Sequence, residues 1–149
     1  MQSQSPVEIA DRLSRRRAIG VAIAAAVFLA IQPLARPFFI AGSDTASPIR
    51  ARFWAINAIV LLAVLATRGG LVYGRRVRSL VNDDVTRGNY RTAVAAGFWV
   101  AMAIAMGVFV GAGFNGFTAR ETVYIIVTPS IAAALLLFSY LERRALRDA

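Results

Sequence analysis

The chain has 149 residues, 58% of them hydrophobic, with a mean hydropathy of +0.59 and a formal net charge of +9. Soluble domains run at roughly 45–50% apolar residues, so a water-soluble core of this length has too little interior for the excess. Cysteine and histidine are both absent, which excludes disulfides, thiolate nucleophiles and iron–sulfur clusters, along with the usual zinc, haem and general-base chemistry.

The apolar residues are segregated. Charge is missing from 18–35, 53–67, 92–119 and 122–141, and it crowds the gaps between them. About 20 apolar helical residues cross a bilayer core, so the pattern predicts an all-α integral membrane protein. Its four transmembrane helices would cover about 17–36, 50–70, 90–112 and 120–141, with a long loop over about 71–89.

Ser5-Pro6-Val7-Glu8 predicts a helix start, with serine as cap, proline first and glutamate three residues past the cap. Glu8 with Arg12 and Asp11 with Arg15 stand four apart, acid first, the favourable order on a helix. Helix one is therefore expected to begin in water and enter the membrane at Arg15-Arg16-Arg17, with Pro33 near its far end and Arg36-Pro37 closing the span. The apolar block is longer than a signal-peptide core of about 7–15 residues. Ala41-Gly42-Ser43 is the nearest cleavage candidate, and the block is expected to be retained.

Ser47-Pro48 repeats the helix-start signal. The charge-free stretch 53–67 would rise roughly 22 Å at 1.5 Å per residue, short of a core of ~30 Å. Either Arg52 and Arg68 snorkel outward or the helix runs on through Gly69-Gly70 to about Tyr73, and Trp54 sits where an interfacial anchor would. The arginine-rich connection that follows has a weak apolar face of Leu71, Val77, Leu80 and Val81, suited to lying on the membrane surface. Asn82-Asp83-Asp84 reads as a turn and cap for helix three.

Helix three carries small residues four apart at Gly97, Ala101 and Ala105, and again at Ala103, Gly107 and Gly111; helix one has Ala22, Ala26 and Ala30. Such rows let helices approach closely in lipid, within one chain or in a homodimer. Thr118 and Glu121 predict a capping box for helix four, which is expected to run to about Tyr140 and leave as an arginine-rich tail.

All 17 basic residues are arginine. With heavy alanine use, this suggests a GC-rich bacterial genome and so the bacterial cytoplasmic (inner) membrane. The N-terminal segment, the connection over 68–91 and the tail hold thirteen arginines and the two other loops four. Positive charge stays inside, so both termini and the middle loop are expected to be cytoplasmic, giving an up-down-up-down bundle. No aromatic–basic repeat or recognition motif accompanies the charge, which argues against nucleic acid as a partner.

Arg75, Arg76 and Arg78, with Asp83, Asp84 and Arg87, form the candidate contact for anionic lipid headgroups or a cytoplasmic protein. The adjacent aspartates suit capping and arginine pairing better than a metal, and no cofactor is implied. In the bilayer interior no ionisable group is expected; Gln32 and Asn57 are the candidate intramembrane polar contacts. A proton-coupled antiporter needs an embedded carboxylate, and the first span has none. The expectation is a non-enzymatic protein acting through contacts, with a small transporter or accessory subunit as the alternative.

Leu80-Val81-Asn82-Asp83-Asp84-Val85-Thr86-Arg87, followed by Ala96-Gly97-Phe98-Trp99 and later Tyr140-Leu141-Glu142-Arg143-Arg144, resembles a pattern in small uncharacterised bacterial four-helix membrane proteins. The resemblance covers about a third of the chain. Some of those proteins are encoded beside helix-turn-helix regulators, so it implies a membrane partner of a cytoplasmic regulator. It implies no catalytic residue.

Overall fold

The computed structural model describes residues 6–40, 48–68, 84–111 and 118–148, with side chains described for residue 12 and for 15–32, 52–68, 85–111 and 118–147. These residues form four helices and no strand: α1 (Pro6–Ile40), α2 (Pro48–Ala66), α3 (Asp84–Gly111) and α4 (Ala119–Asp148). Both α1 and α2 start on proline, whose missing N–H is lost at no cost in a first turn. At the start of α4, the Thr118 N–H donates to the Glu121 carboxylate at 2.7 Å and the Glu121 N–H donates to Thr118 Oγ1 at 3.3 Å. This is the reciprocal capping box expected from the two residue types and their spacing.

The other end of α2 closes differently. Thr67 Oγ1 donates to the Ala63 carbonyl at 2.7 Å, and Arg68 turns into the left-handed region with φ 54°. Its guanidinium lies over the Tyr90 ring, 5.5 Å from the centroid, so the turn is tied to the start of α3.

Helix α4 touches all three others, α3 and α1 along much of their length and α2 more lightly. Its inward stripe, Thr128, Ile131, Leu135, Phe138 and Glu142, repeats every three or four residues, the period of one helical face. Arg17, Val21, Ala25 and Phe28 make the answering stripe on α1; Ala58, Leu61 and Leu65 come from α2. Helix α3 adds only Ala93 to the buried apolar cluster. It nevertheless lies very close to α4, because a Cβ on Gly97 would stand 2.9 Å from Ala134 Cβ and 3.0 Å from the Ser130 carbonyl oxygen. A glycine there is required by the approach of two backbones.

The small-residue rows divide on this evidence. Gly97 is buried and Ala101 and Ala105 half-buried, whereas Ala103 and Gly107 on α3 and Ala26 and Ala30 on α1 face outward. The packing of α1 uses Ala18 and Ala25 instead.

Pro129 lies inside α4. The next residue, Ser130, returns its hydroxyl to the Ile126 carbonyl at 2.5 Å, and α4 continues unbroken to Asp148, two turns beyond the expected exit at Tyr140.

Two helices are long and apolar enough to cross a membrane, over Val85–Gly111 and Ala119–Arg147; Arg52–Ala66 is a shorter apolar helix. Only 11% of the α3 window is buried within the fold, against 44% for α4. Phe53, Trp99 and Phe109 are 66%, 69% and 77% exposed. Large apolar side chains therefore line the outside as well as the core, while several polar ones are enclosed.

Candidate functional site

Arg17, next to Ala18 on the inward stripe of α1, is 6% exposed. Its guanidinium forms an ion pair with Glu142 of α4, which is 4% exposed. The same nitrogen donates to Thr86 Oγ1 of α3 at 3.2 Å. Asn89, one turn further along α3, donates from Nδ2 to the other Glu142 oxygen at 3.2 Å. Below the pair, the Arg17 guanidinium lies 5.9 Å from the Phe138 ring centroid, and Ser139 Oγ donates to the Ala18 carbonyl at 2.7 Å. Three helices thus converge on one buried charge pair.

Arg17 and Glu142 stand just outside the charge-free stretches 18–35 and 122–141, and the fold encloses them together. Arg17 was expected at an interface with Arg15 and Arg16, and Glu142 in an exposed tail. Arg15 and Arg16 are indeed exposed. Arg17 falls one helical step round, onto the face of Val21, Ala25 and Phe28, and cannot avoid the interior. Glu142 is in phase with Ile131, Leu135 and Phe138, so extending α4 past Tyr140 carries its carboxylate inward. Burial of either charge alone would be costly, and mutual pairing with added hydrogen bonds offsets that cost. The phase of Glu142 was the available signal.

At the opposite end, Tyr124 Oη donates to the Gln32 carbonyl at 3.2 Å, and its ring lies 5.7 Å from that of Trp54 at 50°. Gln32 Nε2 donates to the Phe28 carbonyl at 2.8 Å, while its Oε1 and Thr128 Oγ1 are buried without a hydrogen-bond partner in this structure. Asn57 is half-buried on α2.

Among the other expected contact residues, Arg87 is exposed in the first turn of α3, at the same end as the Arg17–Glu142 pair. The side chain of Asp84, the first residue of α3, lies outside the described set, as do Arg75, Arg76, Arg78 and Asp83 entirely. Among the described residues, no group of three or more acidic side chains stands close enough to hold a metal ion.

The arrangement is suited to holding helices in one register, with a fully enclosed salt bridge as its centre. No protein-family model, curated protein or solved structure matches the chain.

Proposed function

We propose that the chain is a four-span protein of the bacterial cytoplasmic membrane, an up-down-up-down bundle with both termini inside. It acts without catalysis, through protein contacts at its inner face, as the membrane partner of a cytoplasmic regulator. The observation that carries this reading is the apolar outer surface: exposed Phe53, Trp99 and Phe109 around an enclosed Arg17–Glu142 pair. A bilayer removes the penalty on that outer surface and favours the pairing of charges that lie close to it. Because the pair is consumed in joining helices, it is poorly placed to exchange protons or ions with a substrate. The resemblance to membrane proteins encoded beside regulators supports the choice of partner.

Reporter fusions at the two ends should both report the cytoplasmic face, and opposite faces would overturn the bundle. For the contact itself, a combined Arg75→Gln, Arg76→Gln, Arg78→Gln variant should lose in-membrane cross-linking to the regulator while remaining folded. Unchanged cross-linking would remove the middle loop as the contact surface.

A second reading is a small transporter or accessory subunit. It is favoured by the buried, unpartnered Gln32 Oε1 and Thr128 Oγ1, polar atoms of the kind a permeating solute would engage.

A further inference from the structure

The basic end of the bundle carries a repeated surface pattern. On α1, the exposed residues Ile23, Ile19, Arg16 and Arg12 are spaced four, three and four apart. On α3, Phe98, Val94, Arg91 and Arg87 have the same spacing and the same exposure. On α4, Leu136, Tyr140, Arg143 and Arg147 repeat it again. Steps of four, three and four keep all four side chains on one helical face.

The direction of each ladder also agrees. Arg17 of α1 and Thr86 of α3 both meet Glu142 or its partner, while Gln32 of α1 meets Tyr124 of α4. Helix α4 therefore runs opposite to α1, and Gly97 against Ala134 sets it opposite to α3. The α4 ladder is reversed in sequence as well, so all three pass from apolar to basic towards the same end.

We propose that these ladders bind anionic phospholipid, each seating an acyl chain along its apolar rungs and a headgroup phosphate on its two arginines. The proposal rests on the membrane reading above and adds to it a partner of defined chemistry. The twelve residues of each ladder, eleven helical steps, span roughly 16 Å, close to one leaflet of a core of ~30 Å. The two arginines of a ladder are i,i+4 neighbours about 5–6 Å apart at Cβ, close enough for two guanidinium groups to share one phosphate. The only carboxylate among the described side chains at this end is Glu142, and it is enclosed with Arg17. Glu142 therefore faces Arg17 inside the fold and not the ladder arginines. A lipid satisfies both halves of each ladder; a soluble acidic peptide satisfies only the basic half.

The test uses the full chain in nanodiscs of phosphatidylcholine mixed with phosphatidylglycerol, reading the lipids retained on the protein by native mass spectrometry after release. Phosphatidylglycerol should be enriched over its share of the disc. Arg16→Gln, Arg91→Gln and Arg143→Gln should each weaken retention at one ladder roughly fivefold, and the triple variant should abolish the enrichment. Arg52→Gln and Arg120→Gln, exposed at the opposite end, should leave it unchanged. Retention of the two lipids in proportion to the disc would overturn the proposal, as would an equal loss in the opposite-end variants. So would binding of poly-glutamate to phosphatidylcholine discs with the same dependence on the three arginines, which would identify an acidic protein surface instead. A chain that stays in the soluble fraction without detergent would overturn this proposal and the membrane reading together, whereas one that enters discs without lipid preference overturns the lipid proposal alone.

Discussion

A buried carboxylate whose cation is removed keeps its desolvation cost and loses its compensation. Arg17→Gln and Glu142→Gln should therefore each destabilise the helical assembly by about 3–5 kcal/mol, read from reversible unfolding in mixed micelles. The double replacement Arg17→Met, Glu142→Leu removes both charges and should cost far less than the two single changes summed. Additive losses would show that the pair is not coupled. Gly97 makes the second residue-scale case. Gly97→Ala puts a methyl 2.9 Å from Ala134 Cβ and should cost about 1–3 kcal/mol, with Ala134→Gly restoring much of the loss. Gly107→Ala, which meets nothing within 4 Å, should be neutral. The spacing of Gly97, Ala101 and Ala105 was legible in the sequence, but not which of two interleaved rows faces α4. Both rows consist only of glycine and alanine, and the position of the neighbouring helix separates them.

Helix starts were legible because their signals are local. Proline in a first turn and Thr118 with Glu121 act within four residues, and the structure begins α1, α2 and α4 where those signals stand. Thr118→Ala should cost about 1 kcal/mol, checked by the same unfolding measurement and by faster amide exchange confined to the first turn of α4; exchange unchanged there would dismiss the cap. Helix ends were less legible. Residues Leu141 to Arg147 read as a charged tail, yet leucine, glutamate, arginine and alanine are all good helix formers. Glu142 reaching Arg17 and Asn89 then fastens the extension to α1 and α3. That tertiary contact is what local signals do not carry. Arg68 ends α2 with a backbone conformation that L-residues adopt reluctantly, held by its contact with Tyr90. Tyr90→Leu should loosen that connection while leaving the core cluster intact.

At the scale of the whole molecule, the helical class and the segregation of charge were readable from composition and block lengths. The inward turn of Arg17 and Glu142 was not, because it depends on how four helical faces are rotated against each other. The order of assembly follows from the position of α4, the helix packed most extensively against the others, which stands fourth in the chain. At roughly 5–20 residues per second of synthesis, α1, α2 and α3 emerge several seconds before the element that joins them. A ribosome halted before Ala119 would leave them with only their lighter mutual contacts and Arg17 without its carboxylate. Such fragments should be degraded by quality-control proteases far sooner than chains of equal length lacking α2, so the fourth helix decides whether the earlier ones survive.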